Sequence, residues 1–243
     1  MIESIQYDEI KNKKRYFPLD INTSSKLYAD KEIIYKFPYF LSKDLKQILE
    51  YVDQLNFKEF IKVLNLIYNK DELIGYSFQR YKNYRSLNKN KLRNFTLKKS
   101  DCYKIIKIYN TLAENYIECT DFHQGNVLLD YHTNDIKLCD LDSFCFSTHE
   151  DLKEIQIKKA FILSIAYLYN LKYCDVKNVF YDGGIYPNSF INRCIDNLDK
   201  LDIDMALALI DSLEYNSILQ ERRKIIVKSK QLSKLGYSKF NRF

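Results

Sequence analysis

Glycine is the conspicuous shortage, with five residues in a chain of 243. That is about 2% against a usual ~7%, so any phosphate-cradling loop built on glycine backbone has little to draw on. Long apolar runs are also missing. The longest apolar stretch, near residues 160–171, is interrupted by Ser164 and Asn170, which excludes a membrane span as read from the sequence. The opening residues Met1-Ile2-Glu3-Ser4 lack the basic-then-apolar layout of a secretory signal. The six cysteines (Cys102, Cys119, Cys139, Cys145, Cys174 and Cys194) form no C-x-x-C pair. Cys139, Cys145 and His149 lack the second close pair that a zinc site needs. Reduced, mostly buried thiols in a cytoplasmic protein are expected. No internal repeat is present.

What is there is ordinary globular material: 46% hydrophobic and 29% charged residues with a net charge of +6. The first twenty residues are polar and carry no clear pattern. Lys26–Ala29 and Glu32–Phe37 around the turn at Asp30-Lys31 read as a β-hairpin, closed by Pro38. Ser42 is the expected N-cap of a helix whose apolar stripe is Leu45, Ile48, Leu49, Val52 and Leu55. Strands follow at 61–68 and 72–78. Beyond the basic stretch 82–93, Cys102, Ile105, Ile106, Tyr109, Leu112, Ala113, Tyr116 and Ile117 repeat at helical spacing. Short strands at 127–129 and 136–139 come next. The rest is helical in pattern, over 152–171, 189–199, 204–215 and 217–234.

The informative segment runs Cys119-Thr120-Asp121-Phe122-His123-Gln124-Gly125-Asn126, then a strand, then a second strand ending Cys139-Asp140-Leu141-Asp142. It resembles the protein-kinase-like superfamily, whose catalytic loop H-R-D-x-x-x-x-N is followed by a β-hairpin and a D-F-G triplet. Asp121 and Asn126 stand at the Asp and Asn positions, and Asp140 closes the second strand as the D-F-G aspartate does. The resemblance extends over residues 22–171, with its specific motifs in 119–142. It implies an α+β, two-lobed fold: a small β-rich N-lobe over 1–82 that binds nucleotide, and a larger helical C-lobe over 83–243.

The implied chemistry is transfer of the γ-phosphoryl of ATP to a hydroxyl of a protein or small molecule, with magnesium neutralising the phosphates. Asp121 is the implied catalytic base, and Asn126 and Asp140 the implied magnesium ligands. Lys36 corresponds to the lysine that grips the phosphates. Glu50 is the first candidate to orient Lys36, with Asp53 and Glu59 as alternatives, and an i,i+4 surface pair of Glu50 with Lys46 accounts for it equally well. Ser24 and Ser25, in Asn22-Thr23-Ser24-Ser25, occupy the place of the glycine-rich loop.

Other departures concern regulation and substrate. Cys119-Thr120 replaces the loop's His-Arg, so switching through a phosphorylated activation segment is not expected; the segment after Asp142 is short and lacks A-P-E. Asp142 stands where the D-F-G glycine belongs, as a further metal ligand or a turn cap. Asp-Phe-His-Gln-Gly-Asn is more similar to the D-x-H-x-G-N loop of aminoglycoside and choline kinases than to protein Ser/Thr kinases. His123 there either bonds neighbouring backbone or moves a proton. The alternative to an enzyme is a pseudokinase, a nucleotide-binding or scaffolding module. From Arg222 onward the chain has basic residues and no acidic ones, which suits a solvated terminal helix or an electrostatic surface for nucleic acid, anionic lipid or an acidic partner.

Overall fold

The computed structural model describes residues 2–12, 25–87, 98–130, 132–182, 190–214 and 218–234. In chain order the elements are β1 (Glu3–Gln6), β2 (Ser25–Ala29), β3 (Ile33–Pro38), α1 (Leu45–Leu55), β4 (Val63–Asn69), β5 (Glu72–Gln79), β6 (Tyr84–Ser86), α2 (Lys99–Glu114) and β7 (Ile117–Cys119). Then come β8 (Val127–Asp130), β9 (Ile136–Leu138), β10 (Phe144–Phe146), α3 (Leu152–Leu168), α4 (Tyr173–Asp182), α5 (Phe190–Asp196), α6 (Ile203–Ser212) and α7 (Ile218–Lys234). The chain divides into two compact units that alternate along the sequence. The first comprises Met1–Arg85, Cys119–Asp121 and Val127–Phe146, and the second Ser86–Glu118, Phe122–Asn126 and Ser147–Phe243.

The first unit is built on a five-stranded sheet in the order β1-β4-β5-β3-β2. The expected hairpin is β2 and β3, paired antiparallel with Leu27 opposite Lys36. Strand β1, in a stretch without readable pattern, runs parallel to β4. Strand alternation sorts the side chains of β3 to two faces. Tyr35 packs with Ile10 and Ile67, and Ile33 and Phe37 join that cluster. Lys36, between them in sequence, turns to the other face, where Tyr76 of β5 is its cross-strand partner. Beside this pair the β4–β5 register slips between Ile67 and Tyr68. Gly75 sits at the slip, and a Cβ there would run into the backbone carbonyl of Lys36, so only glycine admits so close an approach of the strands.

Helix α1 buries Leu45, Ile48, Leu49 and Val52, the predicted stripe, while Leu55 is only partly buried. Its N-terminus differs from expectation: the N-cap is Asp44, without a side-chain cap bond. Ser42 lies just ahead of that N-cap, its Oγ accepting the Asp44 N–H at 3.2 Å. The helix stops at Asn56, whose left-handed backbone (φ 49°) ends it. The apolar side of α1 rests on residues 141–143 and on β10, and Phe60 stacks edge-on to Phe144 at 5.8 Å. Strands β8 and β9 form the predicted hairpin. The end of β9 is tied to the stretch after α1, with Ile61 N–H donating to Leu138 O at 3.0 Å and Leu138 N–H to Glu59 O at 2.6 Å.

In the second unit α2 packs on α3 and α6, α3 on α4, and α4 on α7. Helix α3 is buried on almost every side from Gln156 to Leu168, as an all-round apolar helix must be. The predicted 152–171 helix ends at Leu168, and α4 is a further helix that lay outside the predicted set. Among the described residues no helix is long and apolar enough to cross a membrane.

Candidate functional site

Lys36 organises the candidate site of the first unit. Its side chain is 5% exposed and its Nζ is bonded to Oδ1 of both Asp140 and Asp142, the latter at 2.5 Å. Tyr76, fully buried, donates its hydroxyl to the same Asp142 Oδ1 at 2.7 Å. Burial alone pulls the Lys36 ammonium down, but the two carboxylates outweigh it and hold the pKa above the ordinary lysine value. Burial, reinforced by the carboxylate of Asp142, pushes the Tyr76 phenol well up. For Asp140 burial again leads, and with Asp142 and Asp121 it raises the carboxyl against the pull of Lys36. One ammonium therefore serves two carboxylates, and Tyr76 supplies the additional donor.

The backbone around Asp140 explains how both carboxylates reach one amine. Asp140 is left-handed (φ 67°, ψ 43°) and leads directly into a single 3-10 turn, Leu141–Ser143. A non-glycine residue adopts this region at a cost, and here local bonds fix it. Ser143 donates both its N–H (2.9 Å) and its Oγ–H (2.8 Å) to the Asp140 carbonyl. Thr120 in turn donates its N–H (2.9 Å) and its Oγ1–H (2.7 Å) to the Ser143 carbonyl. Thr120 stands where the resemblance places an arginine, and its short side chain donates to the backbone within this turn. Its neighbour Asp121 thus lies near enough to Asp140 to raise its carboxyl.

Glu50 has a different partner from the one foreseen first. It lies 3.9 Å from Lys46, both side chains about half exposed at 44% and 53%, which is the i,i+4 surface pair. The reason is its place on the outer flank of α1, away from the stripe of Leu45, Ile48, Leu49 and Val52. Ser25 opens β2 and is buried opposite Pro38; Ser24 lies outside the described residues. Tyr76 has no counterpart among the expected site residues, and Asp142, expected as a further metal ligand or a turn cap, is here bonded to Lys36 and Tyr76. Nothing local in the sequence marks Tyr76; it is the β3–β5 register that sets it across from buried Lys36, where its hydroxyl needs a polar acceptor.

In the second unit the loop 122–126 is held from several directions. His123 Nδ1 accepts the Gly125 N–H at 2.8 Å, and the His123 carbonyl accepts the N–H of buried Asn126 at 3.2 Å. Gln124 is buried and its amide bridges backbone groups, donating Nε2–H to Leu171 O at 2.7 Å and accepting the Tyr173 N–H at 3.0 Å. Phe122 packs between Tyr109 and Tyr173, at ring distances of 4.4 and 5.4 Å. His123 in this arrangement bonds neighbouring backbone.

The carboxylates beside Lys36 are hard oxygen donors of the kind magnesium accepts. Among the described residues no three His, Cys, Asp or Glu side chains are grouped to hold a metal ion by themselves. Two carboxylates would leave most of a magnesium shell to waters or to oxygens of a bound group.

No protein-family model matches the chain, and no curated protein matches it. Solved structures do, in 1263 chains, so the fold is a populous one that by itself fixes no chemistry. Among them is the "Structure of apo GRMZM2G135359 pseudokinase", 12% identical, with a TM-score of 0.52, covering 94% of this chain and 97% of that one. At this identity the likeness is one of fold. The mixed architecture, a β-sheet region followed by a helical region, is kinase-like.

Proposed function

We propose that this chain is a pseudokinase-type module, acting by binding rather than by turnover. One observation carries the reading: Lys36, the residue read as the phosphate-gripping lysine, is buried and paired with Asp140 and Asp142. A phosphate chain has to displace two carboxylates before it meets that ammonium. Asp142 replaces a glycine of the D-F-G pattern and is the source of the second carboxylate. The glycine-free stretch Asn22–Ser25 supports the same reading, because a backbone without glycine approaches phosphate less closely. The likeness to a pseudokinase structure agrees with it at the level of fold.

Retention of Asp121, Asn126 and Asp140 supports a second reading. In it the chain is an ATP- and magnesium-dependent phosphotransferase: Asp121 takes the proton of a hydroxyl acceptor, and Asn126 and Asp140 hold magnesium against the phosphates. The acceptor is then a protein or small-molecule hydroxyl. The basic end of the chain suits an acidic partner under either reading.

Release of the γ-phosphoryl from labelled ATP, with magnesium, separates the two. The pseudokinase reading predicts no transfer above that of Asp121→Asn. Magnesium-dependent turnover in the natural chain, abolished by Asp121→Asn, establishes the phosphotransferase instead.

A further inference from the structure

We propose that Asp142 is a latch on Lys36: it holds the ammonium away from incoming phosphate, so that nucleotide binding requires a divalent cation to occupy the carboxylates first. The proposal rests on the reading of Lys36 as the phosphate-binding lysine, and it adds the regulation of that site.

The geometry gives Asp142 features that a mere turn cap lacks. Its side chain is 8% exposed, and the atom that meets Lys36 is Oδ1, the same oxygen that accepts the Tyr76 hydroxyl. Asp142 is thus aimed by a fully buried phenol that lies in register with Lys36 across the β3–β5 pair. The Lys36 ammonium lies 5.9 Å from the Tyr76 ring centre. The 3-10 turn that carries Asp142 is fixed at its base by the paired donations of Ser143 to Asp140 O. A buried charge already compensated in this way has a strong competitor for any new anion. A divalent cation changes the competition, because it binds carboxylate oxygens and draws them from the ammonium. Lys36 then becomes available to a phosphate chain. Asp142 acts here as a positioning residue, through Lys36.

The test is ATP affinity by isothermal titration calorimetry in EDTA, for the natural chain, Asp142→Asn, Lys36→Met and the double variant. Asp142→Gly serves as a second route should Asn disturb folding, and thermal unfolding verifies each fold. The latch predicts ATP binding at least about tenfold tighter in Asp142→Asn than in the natural chain, roughly a 1.4 kcal/mol effect. It also predicts that the gain vanishes in the Lys36→Met background, and that magnesium strengthens ATP binding far more in the natural chain than in Asp142→Asn. No gain in either Asp142 variant overturns the latch. A gain that persists without Lys36 overturns it too, since that is general relief of charge repulsion. A different result, ATP binding indifferent to Lys36→Met in every condition including magnesium, refutes the underlying reading of Lys36.

Discussion

Tyr76 donates its hydroxyl to Oδ1 of Asp142 at 2.7 Å across 66 residues of sequence. This bond joins the middle of the β-sheet to the turn after β9, and Lys36 meets the same oxygen. A buried polar network thus lies on the face of β3 opposite the apolar cluster of Ile10, Tyr35 and Ile67, and its neighbours in sequence Leu141 and Phe144 are buried as well. Such a network is high in cost if half satisfied and rigid if complete.

Tyr76→Phe removes the donor and leaves a buried carboxylate oxygen one partner short. A loss of about 2 kcal/mol of unfolding free energy is expected, in the range for hydrogen bonds to charged groups. Urea denaturation of the natural chain and the variant measures it. A change within experimental scatter contradicts the role given to the phenol.

Gly75→Ala drives a methyl group into the Lys36 carbonyl. The strands must part or the β3 backbone must shift, at about 1–3 kcal/mol for overpacking of this kind. Because the obstructing atom is backbone, a side-chain rotation cannot relieve it. The melting temperature should fall, and amide shifts in NMR spectra should change along β3 around Lys36 more than on β1.

Much of this architecture was legible in the sequence, and the exceptions have physical causes. The hairpin of β2 and β3, the stripe of α1, and the β8–β9 hairpin each declare themselves through local periodicity. Strand β1 does not, because its four residues are mostly exposed and become a strand through pairing with β4. Helix α4 carries a short apolar stripe, Val176, Val179 and Phe180, and is held by its packing on α3 and α7. At the site, Asp140 was placed by the end of its strand. The choice of Lys36's partner was beyond local pattern: Glu50 lies 14 positions away along the chain and Asp142 lies 106. Only the left-handed Asp140 and the turn after it decide in favour of Asp142.

Gln124→Ala removes both bridging bonds, to Leu171 O and from Tyr173 N–H, in a half-buried setting. About 2–3 kcal/mol of destabilisation is expected. Hydrogen exchange of the Tyr173 amide should accelerate more than that of amides in the middle of α3. Equal protection in both proteins contradicts the bridge.

Asp101 of α2, buried, accepts the hydroxyl of Tyr167 of α3 at 2.9 Å through Oδ2, while its Oδ1 has no hydrogen-bond partner among the described residues. Burial raises its carboxyl above the ordinary value, against the Tyr167 bond and the nearby lysines. A carboxyl whose folded-state pKa is raised costs stability while ionised, and the cost fades as pH falls through that pKa. Asp101→Asn keeps an acceptor for Tyr167 and removes the charge. The variant should be more stable than the natural chain at pH 7 by about 1 kcal/mol, and the advantage should shrink toward pH 4. Melting curves across that range test the sign.

The pairing of Lys36 with Asp142 is measured most directly by a double-mutant cycle on unfolding free energy, using Lys36→Met, Asp142→Asn and the two combined. Lys36→Met leaves the carboxylates of Asp140 and Asp142 buried together without their ammonium, and Asp142→Asn removes one of those two charges, so the second change relieves part of the damage done by the first. The cycle should therefore return a coupling of about 2 kcal/mol or more, with the double variant less damaged than the sum of the singles. Additivity of the two substitutions contradicts the account.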